Sequence, residues 1–314
     1  MANTASVKQE LPTKWKKIKT NFRRNWVLYL FLAPAIIYFL IFSYIPMYGI
    51  QIAFKDFYAN LGINGSPWVG FKHFERFFSS YYFERLLKNT LSLSLYGLAL
   101  FPLPIIFSLM LNEIKNSRFK KWIQTLTYAP YFISIVVVVG MVITFLDANT
   151  GLVNTLIKMN GGEPIRFMTS PDWFRHIYVW SGQWQGLGWR TIIYLAALAG
   201  VNPELHEAAT VDGATRLQRI WHINVPSILP TVVVLFILNL GSFMSTGFEK
   251  VLLLSNSLNA ETSDIIQTFV YQTGLLGGQY SFAAAVGLFE SIINIVLLVA
   301  GNYLAKKISN NHLW

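Results

Sequence analysis

Charges are so few in this chain that each one inside an apolar run asks for a chemical reason. Of its 314 residues 54% are hydrophobic and 13% charged, against roughly 25% charged in a soluble domain. Two charges, Arg190 and Glu290, fall at mid-depth of long apolar segments. A charge at that depth costs about 2.5 to 3.5 kcal/mol, so it is turned toward a protein interior or a water-filled path. Around Arg190 runs WSGQWQGLGW, which sets Gln183 and Gln185 among Trp180, Trp184 and Trp189. Aromatic faces stack on the C–H faces of a sugar while amides bond its hydroxyls, the apolar body with few polar groups of a ligand site. Asn239, Asn294 and Asn302 are weaker polar candidates. Each of these residues also fits a structural role. Arg190 and Glu290 could pair with each other or with a partner subunit, tryptophans gather in interfacial belts, and asparagines bond between helices.

Other chemistries find no residues to carry them. There are no cysteines, and His73, His176, His206, His222 and His312 lack metal-ligand spacing. No GxxxxGK[ST] occurs, so ATP, if it drives this protein, binds to another chain. A membrane enzyme acting on lipid-linked sugar would need carboxylates or histidines converging near one leaflet, and the acids here are scattered. A secondary transporter could use Glu290 for ion coupling, but such proteins show related halves and none is visible. The net charge of +10 does not cluster on one face, which argues against nucleic acid.

The elements that must position these residues are membrane spans. About 20 apolar residues cross the hydrocarbon core, and six segments qualify: 26–48, 89–112, 122–146, 177–201, 223–248 and 280–305. The first is too long for a secretory h-region and lacks a small-residue cleavage site. Basic residues favour the N-tail (1–25), the loop after the second span, the stretch 202–222 and the C-tail (306–314), with fifteen on that side and seven on the other. By the positive-inside rule both termini face the cytoplasm. The outer segment 49–88 spaces Phe71, Phe74 and Phe78 for a short helix packed on the bundle. Pro34 and Pro46 are expected to bend the first span, and Pro102 and Pro104 to break the second.

Between the fourth and fifth spans lies NPELHEAATVDGATRLQRIWHINVPSILP, residues 202–230. Asn202 can cap a helix opening at Pro203, Gly213 breaks it, and a second helix sets Leu217, Ile220 and Trp221 on one stripe. An interfacial helix resting on headgroups would favour Lys and Arg on its polar face, whereas Glu204, Glu207 and Asp212 occupy this one. An acidic face asks for a basic protein groove.

Glu207-Ala208-Ala209, then Gly213, then Ile223-Asn224-Val225-Pro226 resembles the EAA loop of bacterial ABC importer permeases, with Val225 where that family usually has leucine. The passages LAPAIIYFLIFSYIP, WVGFKHF, NEIKNSRFKKWIQTLTYAPYFIS and SDIIQTFVYQTGLLGGQYSFAAAVGLFESIIN further resemble carbohydrate permeases of the LplB type. The resemblance implies an all-α polytopic membrane protein with the type I ABC importer permease fold, in a bacterial cytoplasmic membrane. It implies that 202–222 is the coupling helix seated on an ATPase subunit, with Glu207 as charged anchor and Gly213 as the turn. The expected partners are a second permease, forming a heterodimer, an ATPase dimer that binds ATP and Mg, a sugar-binding protein outside the cell, and an oligosaccharide. This chain itself is expected to bind no cofactor.

Overall fold

Prolines, capping side chains and wide helical turns divide the chain into its elements. The computed structural model describes residues 20–309; most of the expected N-tail and the end of the C-tail lie outside them. Among the described residues the chain is helical, with one isolated antiparallel bridge, Lys55–Trp68.

Four helices are long and apolar enough to cross a membrane: α1 (Trp26–Phe54), the helical run Tyr82–Asn112, Arg216–Leu240, and Tyr280–Lys307 within a helix that extends to Ser309. A bent pair of helices, counted as one span, makes five, which is compatible with the six expected. α1 is followed by a short helix, α2 (Lys72–Phe78). It packs on the bundle through Phe74 and Phe77, 8% and 1% exposed, with Phe77 set against Phe282 and Phe289, whereas Phe71 and Phe78 of the expected stripe stay exposed. The second crossing is α3 (Tyr82–Ala99) followed by α4 (Pro102–Asn112). Pro102 opens the new helix because its missing N–H is not needed there.

Several boundaries differ from the sequence expectation. α1 runs on to Phe54 instead of 48, and a wide π turn at Leu40–Tyr44 precedes Pro46 and relieves the clash of its ring with the preceding turn. The second helical run begins at Tyr82 instead of 89, and Arg85, paired with Asp264 at 2.8 Å, anchors its charged first turns. The third is two helices, α5 (Ser117–Tyr128), continued by a 3-10 turn to Phe132, and α6 (Ile135–Leu146), bent by 101°. Ile133 and Ser134 are extended there, and the Ser134 hydroxyl caps α6. After a short helix, α7 (Leu152–Met159), the long α8 (Pro171–Ala199) takes the place of the expected fourth span and starts earlier than 177.

The fifth crossing departs most. After α9 (Pro203–Val211) comes α10 (Arg216–Leu240), a single rod through a π turn at Ile220–Asn224. It therefore begins before 223 and ends short of 248. Residues 241–247 turn back, with Gly247 at φ +60°, into the short α11 (Phe248–Leu254). A short helix, α12 (Ile266–Val270), leads to the last crossing, α13 (Tyr280–Ser309). One core cluster joins α3, α6, α8 and α11 through Leu93, Val139, Phe174 and Val251. A second joins α2, α3, α12 and α13 through Phe77, Leu86, Ile266 and Val286.

Candidate functional site

Two neighbouring cavities open between α3, α8 and α10. The first, about 290 Å³, is polar and is lined by Ser94, Gln183, Gln185, Arg190, Ser245 and Lys250 among others. The second, about 380 Å³, is apolar, with Phe101, Pro104, Trp189, Ile193 and Leu235 in its wall. Arg190 and Asn239 line both, so a polar chamber meets an apolar one at an arginine and an amide. These volumes fall in the range of small-molecule sites, roughly 300 to 1,000 Å³.

Backbone placement explains the polar wall. α8 carries Gly182 and Gly186 one helical turn apart on one face. A Cβ at Gly186 would come within 2.9 Å of Arg190 Nη2, and one at Gly182 within 3.0 Å of Lys250 Nζ. The glycines thus leave room for two cationic heads. Arg190 folds back along its own helix, donating to Gly186 O and Gly182 O, each at 3.2 Å, and to Gln183 Oε1 at 2.9 Å.

Lys250 arrives from the far side. Sequence position puts it near the outer end of the fifth span, but the turn after Leu240 returns it to the chamber. There Nζ donates to Tyr178 O at 2.7 Å and lies 4.9 Å from the centre of the Tyr178 ring. Only the reversal at 241–247 places it there, so spacing along the chain holds no signal for it. The other expected residues separate into groups. Gln183 is buried in the chamber wall and Asn239 is at the junction. Trp189 lines the apolar cavity and stacks on Tyr131, ring centres 4.4 Å apart. Trp184 lines neither cavity and is 48% exposed. Glu290 is buried behind Ser245, accepting from Ser245 Oγ at 3.2 Å and Gln267 Nε2 at 3.0 Å. No Arg190–Glu290 ion pair forms among the described residues.

The other end of α10 carries a second surface. Asn202 caps α9 by accepting from Glu204 N at 3.0 Å, and Pro203 takes the first helical position. Gly213 turns the chain at φ +78°, and the 6→1 bond from Ala214 N to Ala209 O at 2.8 Å closes the helix end. Thr215 and Gln218 then form a capping box. Arg219 Nη1 donates to Thr210 Oγ1 at 2.8 Å and ties the two halves together. Glu207, Ala208, Asp212, Gly213, Leu217, Trp221 and Pro226 are exposed, and Ala209, Ile220 and Ile223 are half-buried. Leu217 and Trp221 are 72% and 66% exposed, an apolar ridge beside acidic residues. Asn224 is fully buried, and neither end of its amide has a protein partner among the described residues.

Residues 83–310 match the family of binding-protein-dependent transport system inner membrane components. The chain belongs to that family. As a permease it is similar to Protein LplB of Bacillus subtilis, 48% identical over 93% of this chain and 92% of the relative. It is also similar to the polygalacturonan/rhamnogalacturonan transport system permease protein YteP of the same organism, 46% identical over 96% and 94%. A solved structure of a bacterial alginate ABC transporter, in complex with an alginate pentasaccharide-bound periplasmic protein, contains a chain 42% identical to this permease. The two superpose with a TM-score of 0.86 over 94% of this chain and 99% of that one. The permease has the type I ABC importer fold and is a multi-pass membrane protein.

Proposed function

We propose that this permease is one of two transmembrane subunits of an ATP-driven importer of oligosaccharides, and that α9 with the start of α10 couples it to a separate ATPase. The observation that carries the reading is the unbroken α10. Its first turns hold the exposed ridge Leu217–Trp221, and near its far end Asn239 lines both cavities. At 1.5 Å per residue Leu217 and Asn239 are about 33 Å apart on one rod. Closure of an ATPase dimer against Glu207, Asp212 and the ridge would tilt that rod and change the width of the path it lines. Gly213 supplies the turn that lets α9 lie across the ATPase groove. The wide turn at Ile220–Asn224, just before Pro226, accommodates the proline ring and keeps the rod continuous.

ATP and Mg bind to the partner ATPase, both termini face the cytoplasm, and a binding protein outside the cell delivers the saccharide. The relatives' transport of pectic and alginate saccharides supports an oligosaccharide cargo. Trp189 and the amides of Gln183, Gln185 and Asn239 supply the stacking and hydroxyl-bonding groups it needs.

The deciding experiment is uptake by the whole complex in proteoliposomes, with loaded binding protein outside and ATP within. Wild type should take up oligosaccharide only with ATP. Glu207→Lys should reduce uptake at least a hundredfold while the chain is still made and inserted. Normal uptake by that variant, or uptake driven by a proton gradient without ATP, would overturn the reading.

A further inference from the structure

The polar chamber holds two cations and no acid. Arg190 Nη2 and Lys250 Nζ both approach Gly182, one bonding its carbonyl and the other lying 3.0 Å from where its Cβ would be. Among the described residues no Asp or Glu lines the chamber, and no ion pair includes either cation. Glu290 stands behind Ser245 and engages neither. Lys250 is 7% exposed, so water screens it little, and like charges repel strongly in such surroundings. A neutral sugar would need only the rings and amides already present.

We propose that the chamber binds a carboxylate of the passing saccharide between Arg190 and Lys250, so that the cargo is an oligosaccharide containing uronic acid units. The proposal rests on the reading of this chain as an oligosaccharide permease. The guanidinium offers a planar fork for two carboxylate oxygens, and the ammonium a point charge from the other side. Nη1 takes no part in the three bonds that hold Arg190 to α8. The two bonds to glycine carbonyls, at 3.2 Å, are at the long end for N–H···O and are readily exchanged for a carboxylate. The hydroxyl of Ser245 and the amides of Gln183 and Asn239 then face the sugar's hydroxyls, and the apolar chamber beyond receives the next ring face.

The test uses the complete importer in proteoliposomes, with radiolabelled trigalacturonate and its fully methylated ester as probes. The ester keeps the size and removes the charge. Wild type is expected to take up the acid at least tenfold faster than the ester at equal saturation of the binding protein. Arg190→Gln and Lys250→Gln should each lower that ratio fivefold or more, and Lys250→Arg should restore it. The binding protein is the same throughout, so a change in the ratio belongs to the permease. Equal loss of acid and ester uptake in the Gln variants would mean that the cations meet a carboxylate of the second permease, and would overturn the proposal. Wild-type uptake no faster for the acid than for the ester would also overturn it, with no variant needing to fold. ATP-driven uptake of neutral galactotriose alone would sink the uronate site and leave the oligosaccharide reading standing. No ATP-driven uptake of any of the three would count against both.

Discussion

Single residues set how closely the helices around the chamber approach. Gly188 on α8 packs against the end of α5, where an added Cβ would lie 2.2 Å from Thr127 O and 2.8 Å from Tyr128 Cδ1. The carbonyl is backbone and cannot swing aside. Overpacking of this kind costs about 1 to 3 kcal/mol and more where backbone must shift. Gly188→Ala is therefore expected to lower the unfolding temperature of the purified complex by several degrees, and to separate α5 from the wall that carries Arg190. An unchanged melting temperature would mean that the two helices slide apart freely. Gly186 differs, since a Cβ there meets only the movable end of Arg190, and its replacement should disturb the cation more than the fold.

At the scale of elements, the strap between α1 and α2 is held by charge. Asp56 lies 2.6 Å from Lys72 Nζ and 3.0 Å from His73 Nε2, and Lys55 Nζ reaches Ile63 O at 2.7 Å. The hydrogen bond from Lys72 holds the Asp56 carboxyl below its ordinary value of 3.8, with burial opposing and the charges of Lys72 and His73 assisting. A depressed carboxylate contributes stability above the unfolded value and loses it as pH falls through the folded one. Segment 55–78 should therefore stay protected from amide exchange at pH 7 and open as pH drops below about 4. Lys72→Met should move that opening to higher pH. Protection that is flat between pH 7 and pH 3 would show that packing of Phe74 and Phe77 holds the strap unaided.

At the scale of the molecule, α1 does not fit a chain that works alone. Its apolar window has no buried residue, and Phe31 and Ile37 are 79% and 53% exposed. They point about 120° apart around the helix. Lipid can cover one such face, and the second permease proposed above should cover the other. The chain has no cysteine, so Phe31→Cys and Ile37→Cys can each be labelled cleanly with a membrane-soluble maleimide. In the chain expressed alone both should react at similar rates. Co-expression with the second permease should slow one of them at least fivefold. Equal labelling in both preparations would mean that lipid surrounds the whole of α1.

What sequence alone determined was local chemistry. The Asn202 cap, the turn at Gly213 and the restart at Pro102 follow from capping, positive φ and a missing N–H, which need no distant partner. Arg190 was legible because a charge in an apolar run is costly wherever the run packs. Only the tertiary structure decided the 101° bend before α6, the end of α10 at Leu240, and the return of Lys250 to the chamber. Hydropathy averages over a window and carries no direction, so it could mark these segments as apolar without saying where each one turns. It could not tell that Glu290 would bond Ser245 and Gln267 while a lysine from beyond the span's end took the place beside Arg190. That choice was made by the bare glycine face of α8 and the reversal at Gly247, which bring together residues that lie far apart along the chain.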